Sequence, residues 1–241
     1  FQTIRPSQTE LSKSGVMNLH YETVSDALLK YLQKMMKSEV FKDFRLVGGT
    51  ALSLQRGHRR SIDIDLFTDV EYGAMPISDI KEFFEKEFPV HDGTDSLTES
   101  ALGYHIRISD GIGPIVKVDL FYTDPYIFPC ITQDGLRIAD EREIAAMKIS
   151  AIAGPIKRQK DYWDIHEMLD DYSLKEMIEW GLSRHPYSLT EEEILEGFDR
   201  MEQVEESPEG IDSLKPLDYW ELKVMDLQQA ISEYKDSTII H

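Results

Sequence analysis

The stretch FRLVGGTALSLQRGHRRSIDIDLF, Phe44 to Phe67, decides how the rest of the chain is read. Phe44, Leu46 and Val47 make the short apolar run of a buried strand. Gly48-Gly49 ends it where a backbone without Cβ atoms lets a ligand approach closely. Thr50 is placed to start a helix and cap its free amides, and those amides, with the positive helix end, form a site for an anion such as a phosphate. Ala51, Leu52 and Leu54 continue the helix, and Gly57 suits its C-terminal stop. A second strand is predicted from Ile62 to Phe67. Strand alternation puts Asp63 and Asp65 on one face and Ile62, Ile64 and Leu66 on the other, toward the core. At strand rise the two aspartate Cα atoms stand roughly 7 Å apart. Like charges so close repel, so a counter-cation is their natural partner. Magnesium, which binds through carboxylates and substrate phosphates, is the first candidate.

The 241 residues, 41% of them hydrophobic, suffice for one large domain or two small ones. No apolar stretch is long enough to span a bilayer and no signal peptide is read, so a membrane partner is not expected. A single cysteine, Cys130, precludes an intrachain disulfide and fits a reducing cytoplasm. The net charge of −19 is unevenly spread: residues 1–160 carry 20 Lys+Arg against 23 Asp+Glu, residues 161–241 carry 6 against 22. The acidic later part would repel nucleic-acid phosphates, so any RNA contact must use basic residues of the earlier part.

Outward from the opening stretch, residues 1–18 read as a polar lead-in and Tyr21–Lys37 as one amphipathic helix with Val24, Leu28, Leu32 and Met35 inward. Ile77–Phe88 reads as another helix, and His91–Ser100 as a loop or hairpin approach in which His91 is solvated surface. Tyr104–Ile108 and Val116–Phe121 alternate as a hairpin around Gly111, Gly113 and Pro114, with Lys117, Asp119 and Phe121 on one face. Leu136–Ala139 reads as a short strand and Asp140 as the N-cap of a helix running to Ala153. Beyond it the pattern is all helical: Tyr162–Leu169, Leu174–Leu182, Glu191–Met201 capped by Thr190, and Leu217–Tyr234, punctuated by Pro186, Pro208-Glu209-Gly210 and Pro216. Trp163, Trp180 and Trp220 are expected to be helix contacts.

Gly48-Gly49-Thr50, followed by Gly57-His58-Arg59-x-Ser61-x-Asp63-x-Asp65-Leu66-Phe67, resembles the nucleotidyltransferases of the AbiEii/AbiGii toxin type, within the DNA polymerase beta-like nucleotidyltransferase superfamily. The segment Lys148 to Asp164 resembles the second half of that signature, a helix lysine followed by a basic stretch and Asp-x-x-Asp, with Lys160 in the place of the basic residue before Asp161. The resemblance implies an α+β fold, a mixed β-sheet flanked by helices. Residues 1–139 would form the nucleotidyltransferase core with its N-terminal helix, and residues 140–241 a C-terminal helical region completing the active site.

The resemblance also implies the site. Asp63 and Asp65, joined by Asp119 from the neighbouring strand, would hold a two-magnesium centre. Gly48, Gly49, Thr50, Arg59 and Ser61 would bind the nucleoside triphosphate, Lys148 would contact its phosphates, and Asp161 would be a catalytic or site-organising carboxylate. Plainer readings stand beside these: Asp119 as an exposed strand aspartate, Lys148 snorkelling to solvent, Asp161 as a helix cap, Asp164 paired with Lys160 or Lys157. The implied reaction moves a nucleoside monophosphate to a hydroxyl, on tRNA or another RNA, in a toxin neutralised by a cognate antitoxin. Transfer to a protein side chain and a catalytically silent nucleotide-binding module are the alternatives.

Overall fold

Leu46, Val47, Ile64 and Leu66 are at most 1% exposed. They lie on two adjacent strands, β1 (Arg45–Val47) and β2 (Asp63–Thr68), which run antiparallel with Leu46 opposite Leu66 and Val47 opposite Asp65. This pair is the middle of a seven-stranded mixed sheet completed by β3 (Val90–Asp92), β4 (Gly103–Ser109), β5 (Val116–Tyr122), β6 (Cys130–Gln133) and β7 (Leu136–Ala139). The computed structural model describes residues 18–98, 101–204, 211–216 and 218–239, with residues 238 and 239 described by backbone only. The strand order is β3-β4-β5-β2-β1-β7-β6, with β5 parallel to β2, β7 parallel to β1, and the other pairs antiparallel.

The helices are α1 (Asp26–Met36), α2 (Gly48–Arg56), α3 (Ile77–Glu87), α4 (Glu141–Ala153), α5 (Gln159–Met168), α6 (Leu174–Arg184), α7 (Glu191–Asp199) and α8 (Trp220–Ile239). The class is α+β. α4 packs against α2 as well as α5, α6 and α7, and so links the sheet to the helical region. Its N-cap Asp140 accepts the Arg142 amide, as expected. Capping boxes at Ser173/Glu176 and Thr190/Glu193 start α6 and α7. Trp163 stacks on Trp220 with centroids 6.4 Å apart, tying α5 to α8, while Trp180 packs on Phe128 and Tyr172. Glu143 and Arg184, both buried, form an ion pair at 2.5 Å; Glu143 also accepts the amides of Ile127 and Phe128 and so anchors the loop after β5.

Several expectations change. The single helix over Tyr21–Lys37 is a 3₁₀ turn (Tyr21–Thr23) followed by α1, because Ser25 adopts extended backbone and caps α1 by accepting the Leu28 amide. Ile62 is 63% exposed rather than inward: ladder pairing begins only at Asp63, so strand alternation does not reach it. His91 is not plain solvated surface. It sits on β3 with Nδ1 2.8 Å from the Phe88 carbonyl. β6 escaped sequence reading, being four residues at a sheet edge with mixed burial. The lead-in over residues 1–17, positions 99 and 100, the Pro208-Glu209-Gly210 break and Leu217 lie outside the described residues. Among the described residues no helix is long and apolar enough to cross a membrane.

Candidate active site

The parallel pairing of β2 with β5 sets Asp63 opposite Lys117, Asp65 opposite Asp119 and Phe67 opposite Phe121. Antiparallel pairing of β5 with β4 extends the same rows to Arg107, His105 and Gly103. Three carboxylates thus share one sheet face beside a cleft of about 400 Å³. Along its β1 side the cleft is closed by the start of α2, and its floor and far wall come from α4 and α5.

Gly48 opens α2 with a left-handed backbone (φ 69°), and a Cβ built there would stand 2.4 Å from Asp65 Oδ2. A Cβ on Gly49 would stand 2.3 Å from Arg59 Nη2. The two glycines therefore make room for an acid and a cation of the protein itself at the helix N-terminus. Thr50 is not the cap. Val47 holds that position, and the buried Thr50 hydroxyl donates to the Asp63 carbonyl with Ser61 Oγ at 2.7 Å, tying α2 to the entry of β2. Gly57 ends α2 in the left-handed region (φ 68°), as expected.

Behind the glycines lies a buried ionic cluster. Asp164 accepts two bonds from Arg59 (Nε to Oδ1 2.7 Å, Nη2 to Oδ2 2.8 Å), has His58 Nε2 at 3.0 Å, and pairs with Lys148 at 2.8 Å. The pairing of Asp164 with Lys160 or Lys157 is thereby corrected: Asp164 is on the buried face of α5, and those lysines are not. Burial alone would raise the Asp164 carboxyl, but Arg59 and Lys148 outweigh it and hold it well below the usual range. Lys148 does not snorkel. Burial opposes its charge, yet the facing Asp161 (2.6 Å) and Asp164 raise its pKa. Asp161, also buried, has its second oxygen 2.9 Å from Arg158 Nε, so both of its oxygens hold cations that border the cleft.

Burial pushes the Asp65 carboxyl up to about 6, reinforced by Asp119 and Asp63 and opposed by Lys148 and Lys160. Both Asp119 oxygens have partners: Oδ1 lies 2.7 Å from His105 Nδ1 and Oδ2 2.7 Å from Lys117 Nζ. Lys160 Nζ stands 4.0 Å from Asp63 Oδ2. Among the described residues no three acidic, histidine or cysteine side chains are gathered as a preformed metal centre. The donor set still fits a hard cation: Asp63, Asp65 and Asp119 offer oxygen only, and both causes that raise the Asp65 pKa, burial first and the neighbouring carboxylates second, are ones a bound cation would offset.

The cleft brings together Gly48, Gly49, Arg59, Ser61, Asp63, Asp65, Asp119, Lys148 and Asp161, with Thr50 behind it. Sequence reading missed His105. Its signal was the period-two match between Tyr104–Ile108 and Val116–Phe121, which a hairpin register turns into the pair His105–Asp119.

A model of the family described as nucleotidyl transferase AbiEii toxin, type IV toxin–antitoxin system, matches residues 30–206. An uncharacterized protein of Aquifex aeolicus (strain VF5) is 26% identical over 219 residues, 86% of this chain and 95% of its own. The crystal structure of a candidate nucleotidyltransferase from H. pylori is similar with a TM-score of 0.51 at 16% identity, over 88% of this chain and 94% of its own, a likeness of fold alone. With the family model covering the sheet, the aspartate face and the ionic cluster, the chain belongs to the AbiEii nucleotidyltransferase toxin family.

Proposed function

We propose that this protein transfers a nucleoside monophosphate from a nucleoside triphosphate to a hydroxyl on RNA, tRNA being the first candidate, with magnesium, as the toxin of a cytoplasmic toxin–antitoxin pair. The observation that carries the reading is the register of Asp65 beside Asp119, with Asp65 set against the N-terminus of α2 and all three lining one cleft. In this reading residues 1–139 are the catalytic core and residues 140–241 the helical region that completes it; the last strand ends at Ala139 and α4 opens at Glu141.

Asp63, Asp65 and Asp119 would hold the magnesium ions, which when bound offset phosphate charge and lower the pKa of the attacking hydroxyl. The amides at Gly48 and Gly49, with the positive end of α2, receive the triphosphate. Arg59 and Lys148 add positive charge from behind and below, and Asp164 and Asp161 keep them in place. Asp161 is the organiser here, since both of its oxygens are engaged. Ser61 and Thr50 fix the approach of β2 to α2. The acceptor oxygen bonds to the α-phosphorus as the bond to the pyrophosphate oxygen breaks, and the hydroxyl proton passes to solvent.

The test incubates purified protein with magnesium and each labelled nucleoside triphosphate, together with total tRNA or lysate protein. Label in tRNA is the expected result. Label in protein would move the acceptor to a side chain, and absence of nucleotide binding would end the enzyme reading.

A further inference from the structure

On the far side of the aspartates from α2, the sheet face continues across β5 and β4 as three rows. One row is Phe67–Phe121–Gly103, the next Asp65–Asp119–His105, the third Asp63–Lys117–Arg107. Gly103 has no Cβ, and one built there would fall 2.0 Å from the Phe121 ring, so the glycine lets that ring lie across β4. Phe121 is tilted against Phe67 at 5.5 Å and against His105 at 5.2 Å. The His105 and Arg107 side chains are each 64% exposed. In a chain of net charge −19, this open face presents Arg107 and Lys117 with Lys160 at its edge. The Arg107–Asp92 pair, 3.7 Å apart and exposed on both sides, is one that solvent weakens and a phosphate can displace.

Resting on the transfer reading above, we infer that this face of β5 and β4 is the platform for the acceptor: the end of a single-stranded polynucleotide, with a base against Phe121 and His105 and phosphates on Arg107 and Lys117. Aromatic rings interleaved with cations on an open sheet suit that ligand, because a base supplies the π face and the backbone the charge. Position supports it as well. The triphosphate belongs on the α2 side of Asp65, where the helix amides are, so an acceptor hydroxyl arriving from the β5 side meets the α-phosphorus across the aspartates. A folded basic polypeptide fits less well, since it would meet Lys117 and Arg107 with like charge.

The probe is a fluorescein-labelled single-stranded RNA of about ten nucleotides, followed by anisotropy on the full chain at low salt. Arg107→Glu is expected to weaken binding tenfold or more and Phe121→Leu at least threefold. Lys175→Glu, an equal charge reversal on the remote, exposed start of α6, should stay within about twofold. A blunt RNA duplex should bind less well than the single strand, since its bases are not free to stack. Wild-type binding that is absent, indifferent to Arg107→Glu and Phe121→Leu, or equal for the duplex would overturn the platform. The two readings fail separately. Oligonucleotide binding lost in these variants, without any nucleotide transfer by the wild type, would keep the platform and end the transfer reading. Transfer to RNA with KM unchanged in both variants would do the reverse.

Discussion

Lys117 Nζ lies 2.7 Å from Asp119 Oδ2, so the third carboxylate of the face already holds a cation of the protein itself. A cation gathered by Asp63, Asp65 and Asp119 must therefore compete with a lysine. Lys117→Met, which keeps the stem and removes the charge, is expected to raise Mn2+ affinity about three- to tenfold in titration calorimetry without nucleotide. An unchanged or weaker affinity would show that Asp119 takes no part in holding the ion.

Asp65→Asn should abolish nucleotide transfer and also stabilise the fold. The folded carboxyl titrates near 6 against an ordinary value of 3.8. Its contribution is thus fully present below about pH 3.8 and lost as pH rises through 6. In EDTA at pH 8 the variant is expected to be more stable than the wild type by about 1–3 kcal/mol, with the gap vanishing near pH 3.5. Thermal melts across that range read the difference; a variant with full activity would remove Asp65 from the metal site.

Asp164→Asn has the opposite sign. Arg59 and Lys148 depress the Asp164 carboxyl, so its contribution is present above about pH 3.8 and lost as pH falls toward the folded value. The variant leaves two buried cations short of a partner and should cost about 3–5 kcal/mol at pH 7. Urea melts should show that cost shrinking below pH 3.8. A cost independent of pH would mean that packing, rather than charge, is what Asp164 supplies.

Gly48→Ala combines left-handed backbone with a methyl placed against Asp65 Oδ2. A loss of about 1–3 kcal/mol is expected from backbone strain. Nucleotide affinity, measured separately on the folded fraction, should fall because the Asp65 carboxylate is pushed off the start of α2. An alanine variant with wild-type affinity would argue that α2 does not receive the phosphates.

Features set within a few residues of one another were legible in the sequence alone. The Asp63/Asp65 face, the Gly57 stop, the Asp140 cap and the β4–β5 hairpin depend on strand alternation or single capping bonds, and each appears in the structure. The sheet and helical region followed from the same periodicities together with the family pattern. Tertiary structure alone decided what crosses long spans of chain. Asp164 meets Arg59 and His58 over more than a hundred residues, and nothing local to α5 distinguishes it from a surface aspartate. Thr50 became a tie rather than a cap because its hydroxyl found the Asp63 carbonyl on another element. Ile62 turned outward because the ladder begins one residue later, and Asp119, beside Lys117 on its own strand, gained His105 because strand register, which local pattern leaves open, put the two opposite each other.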